Sequence, residues 1–156
     1  MGVSGEQEFS TEVAASVAQC FLTITEFERY PDWFSSIVKS QVLERSPDGL
    51  GKRIEFQIDM KLKTVRYVLE YTYEQPTDLR WTAVDGDVES IEGEYHFEKL
   101  GPHTSRVTCR QSVSLGFWVP GPILRLIERQ ALQQSVLEFK AAVEASAKKK
   151  PSRSRK

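Results

Sequence analysis

Four tyrosines and one glutamine carry most of the polar groups that the sequence pattern places on apolar faces. Tyr67, Tyr71, Tyr73 and Tyr95 occupy apolar positions of alternating segments, and Gln111 does the same. A buried tyrosine hydroxyl needs a hydrogen-bond partner, and a glutamine amide carries both donors and acceptors. These groups suit an internal cavity that holds water or the polar end of a ligand, although bonds to nearby backbone would satisfy them equally.

The ionisable side chains of the same segments fall on the opposite, polar faces. They are Glu55, Asp59, Glu70, Glu92, Glu94, Glu98 and His96, while His103 lies in a turn. General acid–base catalysis needs an ionisable group inside the site, and a metal centre or a catalytic triad needs several close together. The sequence therefore predicts no catalytic residue, no metal site and no cofactor. An enzyme would have to use the tyrosines, for which the sequence shows no activating partner.

Alternation of apolar and polar residues predicts the strands that position these groups. The clearest case is residues 53–62, where five apolar and five polar residues alternate. Six further segments have the same period or lie between turn signals. The predicted strands are residues 7–13, 36–44, 53–62, 64–74, 79–83, 91–97 and 106–115. Each has one polar face, so the sheet must bury its other face against another element.

Two of the predicted hairpins have a specific register. A two-residue turn at positions 63 and 64 would pair Met60 with Tyr67, although it lacks the glycine that such turns prefer. A three-residue loop at Asp85-Gly86-Asp87 would set Trp81 opposite Ile91. In both hairpins the apolar residues of the two strands share one face.

The end of the chain supplies the element that can cover the sheet. From Ile123 to about Ala147, apolar residues recur at spacings of three and four, which is typical of an amphipathic helix. Two shorter helical segments are predicted at residues 16–23 and 27–35. The predicted fold is α+β: a curved, seven-stranded antiparallel sheet wrapped around a long C-terminal helix, with two short helices after the first strand.

Composition and charge predict a soluble cytoplasmic protein that is not an integral membrane protein. No run of 18 apolar residues occurs, and residues 1–10 lack the features of a secretion signal. Cys20 and Cys109 are predicted to be buried, reduced thiols. Residues 148–156 are predicted to be a disordered tail with six positive charges, Lys148, Lys149, Lys150, Arg153, Arg155 and Lys156. With 21 basic and 22 acidic residues in the chain, the remainder carries a net charge of −7.

The order of these elements, together with three motifs, resembles a known superfamily. The motifs are residues 27–33 (FERYPDW), residues 91–97 (IEGEYHF) and residues 119–122 (VPGP). They resemble the START-like helix-grip superfamily, and within it the polyketide cyclase/dehydrase and coenzyme Q-binding (lipid transport) branch. The resemblance implies a helix-grip domain at residues 1–147. It also implies a hydrophobic ligand, such as a lipid, a quinone or an aromatic polyketide.

A helix laid across a bent sheet cannot fill both ends of the concave face, so the fold predicts an internal cavity. The resemblance implies that Trp33 and Phe34 lie at its mouth. Alternation and helical spacing predict its walls, although core packing explains each residue taken singly: Phe56, Ile58, Met60, Tyr67, Leu69, Tyr71, Trp81, Tyr95, Cys109, Gln111, Leu124, Ile127 and Ala131.

The function predicted first is therefore a carrier or binding module for a hydrophobic small molecule. A cyclase or dehydrase that uses cavity tyrosines is the second hypothesis. An interaction protein is the third, since relatives in the coenzyme Q-binding branch are implied to associate with ribosomes. In that case the basic tail would bind RNA or an anionic membrane surface weakly.

Overall fold

Seven antiparallel strands form one sheet in the computed structural model, which describes residues 6–60, 63–114 and 118–153. The spatial order is β1-β7-β6-β5-β4-β3-β2, so β2 to β7 are successive hairpin neighbours and β1 pairs with β7. This confirms the predicted sheet. The strands are β1 (Gln7–Val13), β2 (Ile37–Arg45), β3 (Gly51–Asp59), β4 (Thr64–Glu74), β5 (Asp78–Gly86), β6 (Ser90–Gly101) and β7 (Thr104–Ser114).

Two short helices follow β1, as predicted. Helix α1 (Val17–Thr25) begins at a capping box, in which the Ser16 hydroxyl accepts from the Gln19 amide N–H and the Gln19 side chain accepts from the Ser16 N–H. Such reciprocal bonds satisfy backbone donors that a helix start leaves open. A 3-10 turn (Phe27–Arg29) leads directly into α2 (Tyr30–Trp33).

The predicted register of the β3–β4 hairpin is wrong, but its face assignment holds. Phe56 pairs with Tyr67, where the sequence favoured Met60 as the partner, because the connection is a longer loop closed by a bond from the Met60 N–H to the Lys63 carbonyl. The same two-residue turn would have paired Leu62 with Val65; Leu62 lies outside the described residues, and Val65 pairs with Ile58. The shift between strands is an even number of residues, so the apolar side chains remain on one face.

The β5–β6 hairpin is also shifted by an even step. Trp81 pairs with Gly93 and not with the predicted Ile91, because β5 continues through Gly86 and the connection comes after it. Gly86 has a φ of +123°, and a Cβ there would collide with the backbone of Arg66. The glycine that suggested a turn therefore belongs to the end of the strand.

Strand β2 is an edge of the sheet and is irregular. Its pairing with β3 shifts register three times, between Ile37 and Lys39, between Val42 and Glu44, and between Glu44 and Arg45. β-Bulges of this kind bend a strand and interrupt its ladder of hydrogen bonds. The opposite edge is β1, where α3 lies against the strand.

The long helix α3 (Gly121–Arg153) covers the concave face, with Leu124, Leu132, Val136, Phe139 and Val143 buried. The chain fixes its C-terminal half to β1 through polar contacts. The Lys140 ammonium donates to the Glu12 carbonyl at 3.0 Å, and the Ala14 N–H donates to the Glu144 carboxylate at 2.8 Å. None of the described helices is long and apolar enough to cross a membrane.

Helix α3 differs from its prediction in two respects. It continues to Arg153, beyond the predicted end at about Ala147. Lys148, Lys149 and Lys150 favour this extension, because lysine is a good helix former and positive charge is favourable at a helix C-terminus, whereas Pro151 opposes it. Residues 148–153 are therefore helical where a disordered tail was predicted, and Arg155 and Lys156 lie outside the described residues. Ala131, predicted to face the sheet, is exposed, because it lies about a quarter-turn from the buried stripe.

The contact of α3 with the sheet makes a prediction about stability. Phe139→Ala should lower the free energy of unfolding by about 3–5 kcal/mol, because Phe139 has no exposed surface and its removal leaves a cavity. The matched control is Leu137→Ala on the exposed side of the same helix, where a change within about 0.5 kcal/mol is expected. Urea unfolding followed by circular dichroism measures both. Equal losses in the two variants would show that α3 is not packed as described.

Candidate ligand-binding site

The concave face is packed tightly at one end and less tightly at the other. Phe97 and Val107 have no exposed surface and Leu79 is 1% exposed, at the end where the C-terminal half of α3 lies. We call this end the closed half. At the other end, Val65 and Ile91 remain buried, but six inner-face residues are only half-buried: Ile58, Met60, Tyr67, Ala83, Gln111 and Val113. We call this end the open half.

Aromatic rings fill the closed half. The Phe139 ring lies 5.5 Å from that of Tyr95 and 6.0 Å from those of Phe97 and Trp33, measured between centroids. Trp33 stacks on Phe34 at 5.1 Å. Ring contacts of this kind add to the hydrophobic stabilisation of a core. The closed half is therefore occupied by the protein itself.

Trp81 lies flat across the neighbouring strand at a position that has no side chain. A Cβ added to Gly93 would lie 2.5 Å from the indole Cε2 and 2.6 Å from Nε1, so only glycine admits the ring. In this position the indole N–H donates to the Gln111 side-chain oxygen at 3.0 Å, on the next strand. The bond satisfies the indole and fixes the amide so that its NH₂ donors are left for other acceptors.

The tyrosines predicted to face inward differ in how their hydroxyls are used. Tyr73 donates to the Gly51 carbonyl at 2.5 Å, and the Tyr95 hydroxyl interacts with Ser135 on α3 and with Cys109. The hydroxyls of Tyr67 and Tyr71 make no hydrogen bond to another residue in the described part of the chain. Neither hydroxyl is among the polar atoms that are fully shielded from solvent without a partner, so water or a ligand can reach both and supply the partner.

Burial keeps the inner tyrosines and cysteines protonated. Desolvation raises the pKa of the Tyr67, Tyr71 and Tyr95 hydroxyls above the ordinary tyrosine value. It also raises the pKa of the Cys20 thiol to about 11 and that of Cys109 further. At neutral pH these hydroxyls can donate hydrogen bonds, and neither thiol is a nucleophile.

A carboxylate inside the grip escaped the sequence analysis. Glu128 lies four residues from both Leu124 and Leu132, on the buried stripe of α3, and both of its carboxylate oxygens are shielded from solvent. Glu128 does interact with another group of the chain. The i, i+4 spacing from two buried leucines was the signal that could have revealed it.

The carboxylates assigned to the polar face do lie on the convex side, where arginines pair with several of them. Glu94 accepts a hydrogen bond from Arg80 at 3.0 Å and another from Arg110 at 2.9 Å. These bonds, of which the one from Arg80 has the larger effect, hold the pKa of Glu94 below its ordinary value. His96 lies 2.9 Å from Asp78 on the same side. No group of three potential metal-binding side chains occurs among the described residues.

The predicted cavity residues are placed on the concave side with two exceptions. Ala131 is exposed, and the side chain of Ile127 lies outside the described part of the structure. Whether the others contact a ligand stays a prediction. Phe56, Leu69, Tyr71, Trp81, Tyr95, Cys109 and Leu124 are buried, while Trp33, Phe34, Ile58, Met60, Tyr67 and Gln111 are half-buried.

Comparison with known proteins identifies this arrangement. The family model described as polyketide cyclase/dehydrase and lipid transport matches residues 13–140, which is most of the sequence. The chain belongs to this family. Its architecture is the START-like helix-grip fold, a fold that binds hydrophobic ligands, as the sequence motifs had indicated. The sequence has no significant match among curated proteins.

Solved structures share the fold of this family member at low sequence identity. A START superfamily protein from Mycobacterium smegmatis matches with a TM-score of 0.84 at 21% identity, over 91% of this chain and 99% of that one. A protein from Thermus thermophilus gives 0.80 at 17%, over 92% and 99%. The Zhui aromatase/cyclase from a Streptomyces species gives 0.75 at 12%, over 92% and 93%.

The geometry explains the motif at residues 91–97 that first indicated the polyketide cyclase/dehydrase family. Gly93 admits the indole from the neighbouring strand, and Glu94 pairs with two arginines on the convex side. Tyr95 and Phe97 pack on Phe139 in the closed half. Each of these residues therefore makes a contact that positions the walls of the site.

A substitution at Gly93 tests the described packing. Gly93→Ala should lower the free energy of unfolding by about 1–3 kcal/mol, because the added methyl group must displace the indole from Gln111. In a Trp81→Leu background most of that cost should disappear, which a double-mutant cycle measures. Gly101→Ala is the control, since a Cβ there meets only the Thr104 hydroxyl at 3.3 Å. A full cost in both backgrounds would refute the contact.

The cysteines allow a second test. Because both are buried and their pKa values are raised, the native protein should show no thiol that reacts within minutes with Ellman's reagent at pH 8. In guanidinium chloride two thiols per chain should react. A fast-reacting thiol in the native protein would contradict the burial of Cys20 and Cys109.

Proposed function

We propose that this chain binds a hydrophobic small molecule with a polar end in the open half of the grip, as a carrier or binding module. The observation that carries the proposal is the pair of inner-face hydroxyls, Tyr67 and Tyr71, that have no hydrogen-bond partner among the described residues. The donors of Gln111 lie on the same face. A ligand with an acceptor oxygen would satisfy them, and the aromatic walls would bury its apolar part.

The position of α3 supports a site opposite its N-terminal half. The Tyr95 hydroxyl interacts with Ser135, and the Phe97 ring contacts that of Phe139. A step of two residues along β6 therefore corresponds to a step of four residues along α3. Continued in the same direction and at about 6 Å per four helical residues, positions 131–132 come to the level of Gly93, and positions 127–128, which include Glu128, come to the level of Ile91. The open half therefore combines donors from the sheet with one carboxylate from the helix.

The family and its relatives support an apolar ring system or acyl chain as the ligand. The family description names both polyketide cyclases and lipid transport, and the Zhui relative is an aromatase/cyclase. The walls of this chain carry Phe56, Tyr67 and Trp81 beside aliphatic residues. Aromatic faces suit flat rings, while Ile58 and Met60 also accept a flexible chain.

The direct test is to ask what the protein carries and what it binds. Mass spectrometry of the organic extract of the purified chain should reveal a bound hydrophobic compound. Titration with a quinone, a fatty acid and an aromatic polyketide should change the tryptophan emission, to which Trp81 at the site contributes, and saturate with at least one of them. If nothing co-purifies, no titration saturates and a crystal structure shows the concave face filled by side chains, the carrier function is wrong.

Removal of single hydroxyls gives a sharper test with a matched control. Tyr71→Phe should weaken binding of the saturating compound about 2–10-fold, the value of one hydrogen bond, while stability stays the same. Tyr73→Phe should do the reverse, because its hydroxyl bonds the Gly51 carbonyl: stability should fall by about 0.5–1.5 kcal/mol with affinity unchanged. Calorimetric titration and urea unfolding separate the two effects. A stability loss in Tyr71→Phe without an affinity loss would assign that hydroxyl to the core.

A catalytic function is the second candidate, and the shielded carboxylate of Glu128 is the observation that favours it. A carboxylate within a ligand cavity can act as a general base, and tyrosine hydroxyls can donate to an oxyanion. If the chain is a cyclase, Glu128→Gln or Tyr67→Phe should abolish conversion of a linear poly-β-ketone thioester while binding persists. If the wild-type protein forms product no faster than buffer alone, the catalytic function is wrong and binding is the function that remains.

A further inference from the structure

Three large apolar side chains are exposed where the chain enters α3. Trp118 is 72% exposed, Ile123 is 50% exposed and Leu126 is 46% exposed. The other two tryptophans, Trp33 and Trp81, pack against the core. Exposed apolar residues that cluster within a few positions of each other often mark an interaction site.

The local backbone holds these side chains outward. Val119 is buried, so its neighbour Trp118 points away from the core. The Leu124 N–H donates to the Pro120 carbonyl at 2.8 Å, which begins the helix immediately after this anchor. Ile123 and Leu126 are three residues apart and share a helix face roughly opposite to the buried stripe.

Two arginines adjoin this apolar group. Arg125 and Arg129 are both exposed, are four residues apart on α3, and form no ion pair with another residue in the described part of the chain. The arginines of the sheet behave differently, since Arg53, Arg66 and Arg80 each contact a carboxylate. The charge of Arg125 and Arg129 is therefore available to an anionic partner.

We propose that Trp118, Ile123, Leu126, Arg125 and Arg129 form a docking surface for an anionic lipid bilayer. Tryptophan is favoured at the boundary between headgroups and acyl chains, aliphatic side chains enter below it, and arginines contact the phosphates. The docking surface lies at the end of α3 that covers the open half. On the basis of the proposed function, docking would bring the ligand site to the membrane.

A bilayer fits this surface better than a second copy of the chain. Three apolar side chains bury much less than the roughly 800 Å² per partner of a stable interface. A two-fold dimer built on this surface would also bring four arginines into one interface, with no carboxylate among the docking residues to pair with them. Lys148, near the far end of α3, is separate from this surface, since it is about 28 Å from Arg129 and about 33 Å from Leu126 along the helix.

Sedimentation with vesicles tests the docking surface in the full chain. The wild-type protein should bind vesicles of phosphatidylcholine with 30% phosphatidylglycerol and not phosphatidylcholine alone, with a blue shift of tryptophan emission. Trp118→Ala should weaken binding at least 10-fold. The pair Arg125→Gln and Arg129→Gln should weaken it about 10–30-fold and remove most of its salt dependence, at about 1 kcal/mol for each basic residue.

Matched controls decide whether the surface or another feature binds. Leu137→Ser removes an equally exposed apolar side chain from the same helix and should bind as the wild type does. Deletion of residues 148–156 should also leave binding intact. The proposal is wrong if wild type ignores anionic vesicles, if the deletion alone abolishes binding, or if light scattering shows a dimer that Trp118→Ala dissociates.

The ligand titrations distinguish this proposal from the proposed function. A Trp118→Ala variant that still saturates with the same hydrophobic compound, but no longer sediments with vesicles, supports the docking surface and the ligand site separately. Loss of saturation in this variant would show that Trp118 belongs to the ligand site and would overturn its assignment to membrane docking.

Discussion

The contact between α3 and the concave face of the sheet is the interaction on which the other features depend. A seven-stranded antiparallel sheet with one apolar face must bury that face, and in this chain one long helix does most of the covering. Val136, Phe139 and Val143 have no exposed surface, and Lys140 and Glu144 tie the same half of the helix to β1. With one half of α3 fixed by packing, the other half is held over the sheet whether or not the space beneath it is filled.

That arrangement separates stability from binding along one helix. The closed half supplies the hydrophobic core. Polar groups on the inner face of the open half therefore lower the stability of the fold less than they would in the closed half. The indole N–H of Trp81 donates a hydrogen bond to Gln111, whereas the hydroxyls of Tyr67 and Tyr71 have no hydrogen-bond partner among the described residues. Because desolvation raises the pKa of these hydroxyls, they remain hydrogen-bond donors over the physiological range. We therefore expect the polar end of the ligand to be a hydrogen-bond acceptor.

Sequence alone predicted the faces of the strands better than their pairing. A hairpin register can be wrong by two or four residues without moving any side chain to the other face, which is why the inner residues were correct although the partners of Tyr67 and Trp81 were not. The role of Gly93, which leaves room for the indole of Trp81, became clear only from the observed pairing of these two residues. On α3, apolar spacing predicted that Ala131 faces the sheet, but Ala131 is exposed. The same criterion could not predict the shielded carboxylate of Glu128, because it considers only apolar residues.

The irregular edge of the sheet has a consequence for association between chains. A straight edge strand offers a row of unpaired N–H and C=O groups on which another chain can add a strand. Strand β2 is interrupted by three register shifts and carries Lys39, Glu44 and Arg45. A second chain that approached this edge would meet a bent backbone and mixed charge, so few consecutive hydrogen bonds could form. This edge protects the chain against growth into larger sheets, even though Val38 and Leu43 leave apolar surface beside it.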